Sequence, residues 1–203
     1  VPDHNTIRIQ EHLSVVADTV QKILDMKLTW EIDCFGRIKT SISAVKDPEF
    51  PVLPRFGLRF FLDKKWGKVT YYGMGPQESY RDKHQASSHG LYHSKVADLH
   101  EDYIRPQENG SHYDCDFVTV GNSNSGITVV SENPFSFNAS VYTQEELERV
   151  AHNYELEESD STVLCIDYAQ NGIGSNSCGP EVLEKYRLDE EQFAFGVELI
   201  LQL

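Results

Sequence analysis

Apolar and polar residues alternate with a period of two along most of this chain, the spacing of strands that bury one face. Between Thr6 and Ala17 the apolar positions include Ile7, Ile9 and Val15. From Ile23 to Ile32, Leu24, Met26, Leu28, Trp30 and Ile32 share one parity. Both stretches predict half-buried strands. Cys34-Phe35-Gly36-Arg37 then offers a reversal, and Ile38, Ile42 and Val45 continue the pattern, so an antiparallel meander is expected. Asp47 to Pro54 contains three prolines and reads as a surface connection. Arg55 to Leu62, with Phe56, Leu58, Phe60 and Leu62 on one parity, gives the clearest strand. A turn over Asp63–Gly67 leads into another strand, Lys68 to Tyr72.

At Tyr71-Tyr72-Gly73-Met74-Gly75-Pro76-Gln77-Glu78-Ser79-Tyr80 the strand pattern stops and a polar, aromatic surface begins. Two glycines and a proline turn the chain out of the sheet and let the backbone approach a neighbour closely. From Ser79 to Arg105 the periodicity fades, and His84, His89, His93 and His100 stand among Tyr80, Tyr92 and Tyr103. That predicts a long irregular segment, of the kind that carries function or an interface. Strand alternation returns at His112–Val120, Gly126–Val130 and Phe135–Tyr142. Thr143-Gln144-Glu145-Glu146 is a capping box opening one short helix that ends near Val150. Ser161–Tyr168 and Gln192–Leu203 complete the strands, with a glycine- and serine-rich loop at Gly172–Pro180 between them. The expected fold is all-β, an antiparallel sandwich with one short helix and long loops, as a single domain over residues 1–203.

Composition narrows the partners. The formal charge is -14, from 18 Lys and Arg against 32 Asp and Glu. That argues against nucleic acid and against an anionic membrane surface. No apolar run approaches the roughly 18 residues of a membrane span and no signal peptide is visible, so a cytoplasmic location is expected. Cys34, Cys115, Cys165 and Cys178 are widely spaced, which suits reduced thiols. The glycosylation sequons at Asn109 and Asn138 then read as chance matches.

Several constellations carry possible chemistry. His112, Asp114 and Asp116 fall on one face of a regular strand, opposite Tyr113, Cys115 and Phe117. This is metal-ligand spacing, but also the pattern of a polar face in solvent over an apolar face in the core. The histidines between His84 and His100 could include a general base, yet no nucleophile elbow, zinc-protease motif or phosphate loop accompanies them, and hydrogen-bonded loop histidines are the expectation. Glu78, Glu101 and Glu108 could supply a carboxylate pair, but ion pairs with Arg81 or Arg105 are the simpler expectation. Cys178 lies in a loop of small polar residues able to hydrogen-bond sugar hydroxyls, where a structural thiol is expected rather than a nucleophile.

Three stretches together resemble one family. They are Tyr72-Gly73-Met74-Gly75-Pro76-Gln77-Glu78-Ser79-Tyr80-Arg81-Asp82-Lys83, then Asp102-Tyr103-Ile104-Arg105-Pro106-Gln107-Glu108-Asn109-Gly110-Ser111-His112, then Gly172-Ile173-Gly174-Ser175-Asn176-Ser177-Cys178-Gly179-Pro180. In this order they are similar to the C-terminal domain of the glycoside hydrolase family 2 β-galactosidases, the part that forms the small chain of the two-chain enzymes. The resemblance implies a supersandwich like that of the aldose mutarotases and a domain that begins earlier than this chain does, so that a sheet edge is left uncovered. It implies no catalytic residue and no cofactor in this chain, because the catalytic glutamates, the magnesium and the sodium belong to a barrel domain or large subunit. The implied partners are that catalytic part and its galactoside substrate, in an oligomeric parent. Asn176, Ser177 and Cys178 are the implied substrate-binding residues, with Cys178 where the single-chain enzymes carry a stacking tryptophan. The alternatives are a carbohydrate-binding module, or an independent mutarotase in which His112 and Glu108 exchange protons with a sugar.

Overall fold

A computed structural model describes residues 5–18, 21–172 and 181–202. Among these are the strands β1 (Thr6–Val16), β2 (Lys22–Asp33), β3 (Arg37–Lys46), β4 (Arg55–Asp63), β5 (Lys68–Gly75), β6 (Ser88–Lys95), β7 (Ser111–Gly121), β8 (Gly126–Ser140), β9 (Ser161–Gln170) and β10 (Gln192–Gln202), with one α-helix, α1 (Gln144–Arg149). The main path of the sheet runs β1-β2-β3-β10-β8-β7-β5-β6, with β9 also on β8 and β4 on β9. All pairings are antiparallel. The fold is therefore the expected all-β antiparallel sandwich.

The sheet divides along β8. Its first half, Gly126–Val130, pairs with β10, and its second half, Ser136–Ser140, pairs with β9. The sequence pattern breaks at Ser131–Pro134 because the strand changes partners there, not because it ends. The two wings face each other across the core. The predicted inward row of β4 (Phe56, Leu58, Phe60 and Leu62) packs against a cluster that includes Ile42, Val118, Val129, Leu164, Ile166, Phe195 and Val197.

Four expectations are corrected. β1 was expected to be half-buried, yet every residue of it is exposed; alternation identifies an apolar face without supplying anything to cover it. The irregular segment from Ser79 to Arg105 contains β6 and a 3-10 turn at Val96–Leu99. The pattern of β6 was masked because its hydrogen-bond partner β5 supplies the regularity that its own Ser, His and Gly residues lack. β7 does not keep strict alternation: its register shifts between His112 and Cys115 and again before Phe117, and Asp114 takes a left-handed φ of 56°. Both His112 and Cys115 consequently point inward. The helix cap forms by halves. The Thr143 hydroxyl accepts from the Glu146 amide at 3.1 Å, but the Glu146 carboxylate is taken by Arg149 and by the Glu157 amide. Asn109 and Asn138 are buried, and the Asn138 side chain donates to the Asn109 carbonyl, so neither sequon is presented to solvent.

Candidate functional site

At Gly73 a Cβ would collide with the sulfur of Cys115, so only glycine lets β5 lie this close to the bulge of β7. Beyond Gly75 the chain leaves the sheet and is pinned at once. The Ser79 amide donates to the Ser111 carbonyl at 2.7 Å; its hydroxyl donates to Met74 at 3.1 Å and accepts from the Tyr113 amide at 2.9 Å. Tyr80 follows, only 1% exposed. The close approach expected of the two glycines is thus within the protein itself: Gly73 lies against Cys115 of β7, and Gly75 against the side chains of Tyr71 and Tyr92.

Glu78 is the node that ties this loop to the next one. Its side chain is 6% exposed and accepts from Lys83 Nζ at 2.6 Å, from the Tyr80 hydroxyl at 3.1 Å, from the Gly110 amide at 2.9 Å and from the Tyr103 hydroxyl. Burial works against its charge, but the Lys83, Tyr103 and Gly110 donors outweigh it and hold the carboxyl below the usual range. A carboxylate so saturated with donors cannot serve as a general acid. Burial raises the Tyr80 hydroxyl, and the Glu78 charge raises it further.

A second buried pair lies beneath. Arg55 binds Asp167 in a two-point arrangement, Nε and Nη2 each 2.7 Å from a carboxylate oxygen, and Nη1 reaches Glu108. Burial opposes the Arg55 charge, yet the Asp167 carboxylate wins and holds the guanidinium above its usual value; burial raises the Asp167 carboxyl, against the pull of the Arg55 charge and its hydrogen bonds. The end of β9 continues this network: the Gln170 amide donates to Ser111 Oγ at 2.6 Å, and Asn171 is fixed to Leu53, Pro54 and Leu188. At Gly172, φ is +83° and a Cβ would strike the Asp82 carboxylate. The first two motifs and the start of the third therefore meet at one place.

The candidate catalytic groups do not meet. Glu78 pairs with Lys83 and Glu108 with Arg55, where Arg81 and Arg105 were the expected partners. His112 is 1% exposed, stacked against Phe137 and 4.4 Å in centroid from Tyr71. Its Nδ1 donates to the Met74 carbonyl at 3.2 Å and its buried Nε2 has no partner. Desolvation lowers its pKa to about 4, so the ring is neutral. It cannot share a metal with Asp116, which is exposed, nor pass a proton to a sugar beside Glu108. Among the described residues no group of three or more His, Cys, Asp or Glu could hold a metal ion. The remaining histidines hydrogen-bond locally: His84 with the Tyr80 carbonyl, His89 with the Asp114 carbonyl and His93 with Thr70. Cys34, Cys115 and Cys165 are free thiols. Asn176, Ser177 and Cys178 lie outside the described residues.

Sequence reasoning missed Arg55 and Asp167. The available signal was Asp167 itself, a carboxylate within the apolar run from Thr162 to Tyr168. A charge there needs a buried partner.

Comparison with known proteins follows the same lines. The family model described as "Beta galactosidase small chain" matches residues 3–199. A β-galactosidase from Actinobacillus pleuropneumoniae is 48% identical over 187 residues, covering 92% of this chain and 18% of that protein. One from Staphylococcus xylosus is 39% identical over 199 residues, covering 98% of this chain and 20% of that protein. Among solved structures, a galactose 1-epimerase from Lactobacillus acidophilus NCFM superposes with a TM-score of 0.56 at 12% identity, over 100% of this chain and 64% of that one. That likeness is one of fold.

Proposed function

From the premise that the chain belongs to the β-galactosidase small-chain family, we propose that it is the noncatalytic C-terminal domain or small subunit of a glycoside hydrolase family 2 β-galactosidase. The family match across residues 3–199 carries this reading. The site chemistry supports it: Glu78, Glu108 and Asp167 are all committed to internal cations, so these three are not free to act as a catalytic pair. The chain's work is to assemble with the catalytic barrel and to complete the pocket for terminal β-D-galactosides such as lactose. Magnesium and sodium belong, in this reading, to the catalytic part. The Glu78 and Arg55 networks fix the framework as far as Gly172, and in this reading Asn176, Ser177 and Cys178 supply contacts to the sugar.

The test is to assay nitrophenyl β-galactoside hydrolysis by this chain, by the separate large chain and by the mixture. Activity in the mixture alone is expected. Hydrolysis by this chain alone at a rate comparable to the mixture, or full activity of the large chain without it, overturns the reading.

A further inference from the structure

We infer that the pocket between β7, β8 and β9 is a binding site for one neutral pyranose, held by Arg81, Tyr113, Asp114, Ser136, Tyr168 and Gln170. These residues line a cavity of about 160 Å³. Typical small-molecule clefts begin near roughly 300 Å³, so there is room for a single ring and not for an oligosaccharide or a nucleotide.

Unused polar capacity is what marks the site. Ser136 is 5% exposed and its hydroxyl makes no hydrogen bond among the described residues, although it lines the cavity. Gln170 is 8% exposed; its amide nitrogen is fixed by Ser111 Oγ at 2.6 Å, which leaves the side-chain carbonyl free to accept. Among the described residues Arg81 forms no ion pair, and its side chain makes one hydrogen bond, a 3.5 Å contact to the Arg187 carbonyl. Asp114 is turned by its left-handed backbone and its carboxylate is likewise without an ion pair, while its main-chain carbonyl accepts from His89. In the same face Asp167, Glu108, Arg55 and Asn138 are all engaged, so this vacancy of partners is local.

The chemistry of that set selects a sugar. One guanidinium and one carboxylate make the lining neutral overall, and each planar group can address two adjacent hydroxyls, one as donor and the other as acceptor. An anion would meet Asp114 and a cation would meet Arg81. The serine hydroxyl and the glutamine carbonyl add one donor-acceptor and one acceptor. The aromatic walls are already ordered: Tyr168 stacks on Phe193 and donates to Glu190 at 2.9 Å, and Tyr113 stacks on His84. Rings held in this way cover the C–H face of a pyranose with little loss of freedom on binding.

This goes beyond the reading above, since it is a binding capacity of this chain whether or not a catalytic chain is present. The test titrates the 203-residue chain with galactose, methyl β-D-galactoside and galacturonate by calorimetry and saturation-transfer NMR. The same titrations are run on Arg81→Ala and Ser136→Ala, with thermal melts to verify folding. Saturable binding of galactose or its methyl glycoside is expected, weakened about tenfold or more by Arg81→Ala and several-fold by the smaller change Ser136→Ala. No saturable signal with either neutral sugar overturns the proposal. Binding that neither variant weakens also overturns it, as does binding of galacturonate alone. Complementation of a large chain is read in a separate assay, so its failure and the failure of this site are told apart.

Discussion

On the face of the sheet roofed by Glu78, Tyr80 and Tyr103, charged groups are buried and paired; on β1, at the far end of the same sheet, isoleucine and valine stand in solvent. Asp167 is 1% exposed, whereas Ile7 is 65% exposed. Residue type alone would place them the other way round. Cover makes the difference. The loops that follow β5 and precede β7 fold back across one face and bring donors to Glu78, and Arg55 at the start of β4 matches Asp167, while β1 pairs along one edge with β2 and has no described element over its apolar row. Apolar area stabilises a fold only when it leaves water, and a charge is tolerated in the interior only when it is matched.

The largest effect expected from breaking this contrast is at the buried pair. Asp167→Asn removes the buried counter-charge of the Arg55 guanidinium and leaves it only the more exposed Glu108, and should cost about 3–5 kcal/mol in urea unfolding. Replacing both partners, with Arg55→Met and Asp167→Leu, should recover much of that loss, because the penalty belongs to the orphaned charge. A loss below about 1 kcal/mol for Asp167→Asn would mean that water reaches the pair, as it does exposed pairs.

Next in size is the pH response. The folded pKa of His112 is lowered to about 4 from an ordinary 6.5, so the folded state binds fewer protons than the unfolded one. Its contribution is complete above pH 6.5 and is lost as the pH falls toward 4, by about 3 kcal/mol in all. Glu78, also held low, contributes above its ordinary value of 4.5 and is lost at more acid pH still. His112→Leu should make the fall in unfolding free energy across the upper window shallower, leaving the part that His100, also held low by burial, contributes there, and should leave the lower window unchanged. A wild-type curve that stays flat between pH 6.5 and 4 would show that His112 is hydrated.

A backbone contact gives the third test. Gly73→Ala drives a methyl group into Cys115, at a cost of about 1–3 kcal/mol. Gly67→Ala, with nothing within 4 Å, is the neutral control.

The legible part of the molecule was what repeats locally. The inward row of β4, the glycine reversal at Cys34–Arg37 and the Thr143 cap all follow from neighbours in sequence. β6 was hidden because its own Ser, His and Gly residues carry no alternation, and its regularity comes from pairing with β5. The facing of His112 was misjudged because the register of β7 shifts on both sides of Cys115, and alternation carries no mark of where a bulge falls. The Arg55–Asp167 pair could be suspected from one side only, since sequence names a misplaced charge without naming its partner. The pocket at Arg81 and Ser136 gathers residues from one loop and three strands, and no spacing rule links them.

The smallest effect is the one that probes β1. Ile7→Thr keeps the β-branched shape and removes apolar surface that is already in water, so it should change stability by less than about 0.5 kcal/mol. Leu164→Ala, in the core at 0% exposure, should cost about 2–5 kcal/mol. The ratio of the two losses measures how far the ends of the sheet differ in solution. If Ile7→Thr proves nearly as costly as Leu164→Ala, something covers β1. Repeating both measurements over a range of protein concentration then separates the causes, because cover by a second copy makes the loss at Ile7 depend on concentration and leaves the loss at Leu164 within one chain.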